Sequence, residues 1–174
     1  VTQQVLGDII LSEHSVRMKE RIVEYASANE AHFEEYMHCL SSDNEELVRR
    51  AVWPLGELAE RRQPWFEPYH SHLIDLLQEE HHDAVHRNVL RAYQTLEIPE
   101  NEEARLYDAC LNKLGVNPLP VAIKVFAMTV AFRIVQRHPG LLEEFNFVLN
   151  ETMEDTSPGI QSRGRKIKKQ LEKL

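Results

Sequence analysis

One helical pattern is written three times in this chain. The stretches "DNEELVRRAVWPLGELAE" (43–60), "HHDAVHRNVLRAYQTLEI" (81–98) and "NPLPVAIKVFAMTVAFRI" (117–134) share one cadence of apolar residues. With Leu47, Val85 and Val121 set in register, at spacings of 38 and 36 residues, three further apolar rows coincide. These rows are Ala51, Val89 and Val125; Leu55, Tyr93 and Thr129, the weakest match; and Leu58, Leu96 and Phe132. Offsets of four, four and three mark a single helix face. A fourth copy begins at Ile160 and sets Ile167 and Leu171 opposite Met128 and Phe132. A shorter apolar helix precedes each copy: "HFEEYMHCL", "PYHSHLIDLL", "ARLYDACLNKL" and "LLEEFNFVLN". One such hairpin cannot bury its own apolar stripe, whereas stacked neighbours can, so two helices every 36–39 residues predict an α-solenoid.

The punctuation agrees with the repeat. Pro64, Pro99 and Pro139 fall between one copy's long helix and the next copy's short one, where a residue without an N–H starts a helix at no hydrogen-bond cost. Asp43, Asp83 and Asp155 stand near long-helix starts, where a carboxylate can cap free N–H groups. Residues 2–11 and 16–27 form an additional, divergent hairpin in this reading. Pro54 predicts a kink, since it removes a donor and crowds the carbonyl of Arg50. Only six glycines and eight prolines interrupt 174 residues that are 43% apolar and 28% charged. Length and composition fit one all-α domain.

The acid followed by "LVRRA" and "LGELA" resembles the HEAT repeat over about residues 30–172, and the whole chain is similar to small bacterial HEAT-like proteins. The resemblance implies a right-handed α-α superhelix of about four to five hairpins spanning residues 1–174 as a single domain. Residues 1–29 would be the divergent hairpin, and residues 30–174 the repeats with a basic capping helix. The motif specifies a fold and leaves activity open.

Charge narrows the partners. The net charge of −8 argues against a surface coated for phosphate. It is unevenly spread: residues 162–174 hold six Lys/Arg against one Glu, so the rest carries −13. Cys39 and Cys110 are too scattered for a disulfide framework or zinc site and read as small apolar residues of a reducing compartment. No apolar run approaches the ~20 residues of a membrane span. The start "VTQQVLGDIILSEH" lacks a signal peptide's features, and the absence of a leading Met is read as a few residues either missing or processed. The expected location is cytoplasmic, with no membrane contact.

Three features are candidates for function. His82 and His86, four apart in "HSHLIDLLQEEHHDAVH", have a spacing that suits a metal, although the register puts His82 in the turn before its helix. Some HEAT-repeat hydroxylases hold iron through His-Glu pairs recurring in several repeats. No such pair recurs here, so no metal or cofactor is expected. The second feature is a basic ridge: Arg50, Asn88, Lys124 and Arg163 occupy equivalent positions, and Arg49 and Arg87 share an adjacent column. Such residues either pair with acids of the neighbouring turn or form a row of donors for a carboxylate-rich peptide or phosphate chain. The third is the helix over Val121–Val135, apolar nearly all round, which is either covered on both sides or offers an apolar patch, including to a second copy as a homodimer. Its outer column is read as Ile123, Ala127 and Val130, equivalent to Arg49, Trp53 and Gly56 and to Arg87, Arg91 and Gln94.

Two functions fit these features. The first is a non-enzymatic interaction module that presents Arg49, Arg50, Trp53, Arg87, Arg91, Ile123, Lys124 and Ala127 to another protein or an acidic peptide. The alternative is a DNA-binding or alkylated-base repair protein, since the DNA-alkylation repair glycosylases use similar stacks. Trp53 and Glu57 would then imitate the aromatic cradle and the carboxylate. The negative charge disfavours nucleic acid, and no nucleophile–base or phosphate-loop motif supports an enzyme.

Overall fold

The computed structural model describes residues 3–173, and among them every regular element is helical. Eleven α-helices follow one another: α1 Gln3–Ser12, α2 Val16–Ala26, α3 Glu30–Leu40, α4 Glu45–Ala51, α5 Leu55–Arg61, α6 His70–Gln78, α7 Asp83–Tyr93, α8 Glu103–Gly115, α9 Val121–Val135, α10 Leu142–Thr152 and α11 Pro158–Leu171. Thr2 of the expected first hairpin and Leu174 at the end of the expected capping helix lie outside the described residues. The chain divides into two compact units, Val1–Glu97 and Ile98–Leu174.

In the first unit, α2 packs on α3, α3 on α4, and α6 on α7, while α1 lies on α3 and α4 and α5 on α2 and α7. In the second, α9 packs against α8, α10 and α11, and α8 also meets α10. Within each unit, therefore, a helix rests on its hairpin partner and on a neighbouring hairpin. That arrangement buries a stripe no single pair could cover.

Local chemistry sets the helix starts. Asn44, rather than Asp43, caps α4, its Oδ1 accepting from the N–H groups of Glu46 at 3.1 Å and Leu47 at 3.2 Å. His82 caps α7 through a ring nitrogen that accepts from Ala84 N at 3.1 Å, and Asp83 sits in the first turn, where its charge suits the dipole. Asp155 takes the Ser157 N–H at 2.9 Å in the turn before α11. Short 3-10 turns at Gln63–Tyr69, Glu100–Glu102 and Pro139–Leu141 lead into α6, α8 and α10. Pro64 lies at the start of the first, Pro99 precedes the second and Pro139 opens the third. Each proline supplies a preset φ where no intrahelical donor is needed.

Pro54 divides one expected long helix into α4 and α5. Leu55, whose N–H would reach Ala51 in an unbroken helix, bonds Val52 O at 3.2 Å instead. The Ala51 carbonyl is claimed by the buried Tyr36 hydroxyl, which donates at 2.7 Å. Nearby, Phe33 of α3 meets the rings of Trp65, Phe66 and Tyr69 edge-on, at 5.7, 4.9 and 5.9 Å, so the aromatics of the proline-rich turn form a core cluster with α3.

Burial corrects the register of the third copy. Solvent reaches Glu46, Arg49, Trp53 and Glu57 along α4, the Pro54 break and α5, with Arg50 beside them, and Ala84, Arg87, Arg91 and Thr95 along α7 and the residues just after it, with Gln94 beside them. On α9 it reaches Ala122, Val125, Thr129 and Arg133, with Val121 and Phe126 beside them. These rows align at 38 residues in both steps. Val125 thus stands where Arg49 and Arg87 stand, and Thr129 where Trp53 and Arg91 stand. Ile123 and Ala127 have no exposed surface and Lys124 has 1%, so none of the three belongs to a contact surface. The expected outer column was wrong because α9 has no polar back to fix its phase.

Candidate functional site

The first unit carries a cleft of about 330 Å³ lined by His14, Arg49, Trp53, His82, Ala84, Arg87 and Asn88. Three expected contact residues, Arg49, Trp53 and Arg87, meet there because α4 and α7 pack side by side and turn equivalent positions to one face. Trp53 is half-buried, its ring 4.8 Å from that of His14 in the α1–α2 turn. Sequence reasoning missed His14. Its only signal is a position in the turn of the divergent hairpin.

The arginines fall into two groups. Glu46 accepts from Arg49 and from Arg50, each at 2.6 Å. Hydrogen bonds from Arg49 and then Arg50 hold its carboxyl down to about 2. Arg50 also donates to Leu11 O at 3.0 Å. By contrast, the exposed side chains of Arg87 and Arg91 make no hydrogen bond or ion pair among the described residues. Arg91 lies one turn beyond Arg87 on α7. Its stem runs over buried Gly56, where an added Cβ would stand 3.2 Å from Arg91 Cγ, Cδ and Nε. A long side chain is thereby supported along its methylenes while its head stays in solvent.

The rest of the expected ridge is engaged internally. Asn88 donates to Ala84 O at 2.8 Å and Arg163 to Thr129 Oγ1 at 2.7 Å, while buried Lys124 bonds the Asn117 side chain. Glu57 accepts from Lys19 at 3.0 Å and Arg61 at 2.7 Å, so beside Trp53 it serves α2–α5 packing. His82 and His86 have separate tasks: His82 caps α7, and buried His86 meets Glu79 O at 3.1 Å. Among the described residues no three His, Cys, Asp or Glu side chains are grouped to hold a metal.

A model of the HEAT repeat domain matches residues 10–171. The chain belongs to the HEAT repeat family. Membership implies an α-α superhelix, and HEAT repeat domains typically serve as protein-interaction scaffolds. No curated protein and no solved structure matches the chain. Arg49 lies on α4, Trp53 in the break between α4 and α5, and Arg87 and Arg91 on α7. The cleft therefore runs between α4 and α7, which pack together within the first unit. Among the described residues no helix is long and apolar enough to cross a membrane.

Proposed function

We propose that this HEAT repeat protein is a non-enzymatic scaffold that binds an acidic segment of a partner protein across α4 and α7. One observation carries the reading: among the described residues Arg87 and Arg91 have no ion pair, and Arg87 lines the same cleft as half-buried Trp53. Unpaired guanidiniums offer bidentate donors to carboxylates, and a Trp rimmed by arginines is a frequent anchor at interfaces. Arg49 adds a third guanidinium that Glu46 already orients.

The test is capture of partners by the wild-type chain and by Trp53→Ala and Arg87→Glu/Arg91→Glu variants, alongside titration with a labelled glutamate-rich peptide. Loss of the captured set and of the peptide in the arginine variant, with an unchanged melting temperature, supports the surface. Retention of the same partners by both variants removes it. A gel shift with duplex DNA at low salt separates the nucleic-acid alternative, which requires salt-sensitive binding. The engaged Glu57, and Trp53 with the His14 ring tilted against it, do not form an open cradle for a base. The two cysteines are buried and free, which supports a cytoplasmic setting.

A further inference from the structure

The second unit turns an aromatic ring to solvent at a position that is polar elsewhere in the chain. Buried residues set α3, α6, α8 and α10 in register: Tyr36, Leu73, Leu106 and Phe145 coincide, as do Leu40, Leu77, Cys110 and Leu149. Two residues before the second row stand His38, Asp75 and Asp108, all reached by solvent. In α10 that position is Phe147, 66% exposed and the most exposed large apolar side chain among the described residues. It lies two residues from both Phe145 and Leu149, about 200° round the helix from each, so α10 cannot rotate to cover it without exposing them. A lone surface hydrophobic is ordinary. What singles out this one is the charge around it.

Glu143 and Glu151 are exposed one turn before and one turn after Phe147, and no Lys, Arg or His occurs between His138 and Arg163. The next helix reverses the sign. Ile160, Gly164 and Ile167 of α11 face inward, while Arg165, Lys169 and, just past the helix end, Lys173 are exposed at the same four-residue spacing. None of these five charged side chains makes an ion pair among the described residues. Like charges four apart on a helix repel, and the dipole offsets this only in the last turn, too late for Arg165. Both helices pack on α9, so the two rows belong to one unit.

We propose that the outward face of α10 docks on the outward face of α11 in a second copy of this chain. Each row advances by about 6 Å per step, the rise of four helical residues. Glu143 and Glu151 then meet Arg165 and Lys173, and Lys169 lies over the Phe147 ring, its methylenes covering the ring and its ammonium drawn to the π face. A second copy is the occupant because sign, spacing and length match within the one sequence. Exposed ion pairs are individually weak and screened by salt, so the association is weak and salt-sensitive. The arginine cleft lies in the first unit and takes no part in it.

The test is sedimentation velocity of the full chain over a range of concentration. Self-association is expected with a Kd of about 10–100 μM at about 0.05 M salt, weakened at least about tenfold at about 0.5 M. Phe147→Ser should weaken it about tenfold and yet melt no lower than wild type, because the ring is exposed in the single copy. Charge exchange gives the decisive readout. Glu143→Lys/Glu151→Lys and Arg165→Glu/Lys169→Glu should each be monomeric alone, whereas an equimolar mixture of the two associates, since every row then meets its opposite. A wild-type chain that stays monomeric up to about 1 mM, either exchanged variant associating alone, or a mixture that does not associate overturns the contact. So does a monomeric wild-type chain that shifts duplex DNA through Arg165 and Lys169, which would assign α11 to nucleic acid.

Discussion

Glu46 sits between Arg49 and Arg50, and their donors depress its carboxyl from the ordinary 4.5 to about 2. A carboxyl whose folded value lies below its unfolded value stabilises the fold above the unfolded value, and that contribution disappears as pH falls through the folded one. Glu46→Gln should therefore melt lower than wild type at neutral pH, with the difference closing between about pH 4.5 and pH 2 in a melting series. The same substitution frees Arg49 and should strengthen binding of a glutamate-rich peptide by about two- to fivefold. Lys124 makes the opposite point. It was expected on a ridge, yet it is buried against Asn117, with its charge also helping to lower Asp155. Lys124→Ala leaves buried polar groups without their partner and should cost about 1–3 kcal/mol in urea unfolding.

At the scale of elements, what was legible in the sequence depended on amphipathic phase. The helices α2 and α7 have a charged back, so their apolar faces can be read from spacing alone. Arg49, Trp53 and Arg87 were accordingly placed on one surface, and they line one cleft. The apolar residues of α9 run round the helix, so aligning them tolerates a slip of two residues, which moved Ile123 and Ala127 outward. His14 was not legible because its role depends on which neighbours the stack brings to it. The Pro54 break shows how a local defect is matched by a distant side chain. Tyr36→Phe should destabilise by about 1–2 kcal/mol, since Ala51 O loses its donor in a buried site. In a Pro54→Ala background Leu55 regains an N–H geometry that can serve Ala51, so the cost of Tyr36→Phe should fall. A double-mutant cycle measures this, and strict additivity would show that the break and the tyrosine are unrelated.

For the whole molecule, a chain of net charge −8 that binds an acidic segment does so against its own field. The reach of that field is set by salt: the Debye length is about 30 Å at 0.01 M and about 8 Å at 0.15 M. At the lower ionic strength an approaching acidic peptide feels the carboxylates of the whole surface. At the higher one it feels chiefly the local guanidiniums of Arg49, Arg87 and Arg91. The association rate should therefore rise as salt increases over this range, and decline only when screening reaches the contact distance itself. Dissociation should quicken throughout, because the arginine–carboxylate contacts weaken. Stopped-flow mixing with a labelled glutamate-rich peptide separates the two rates. An association rate that falls steadily from the lowest salt would mean that a cationic region steers the encounter over the whole range, and the basic α11, with Arg165, Lys166 and Lys169 exposed, would then be the first surface to reverse in charge.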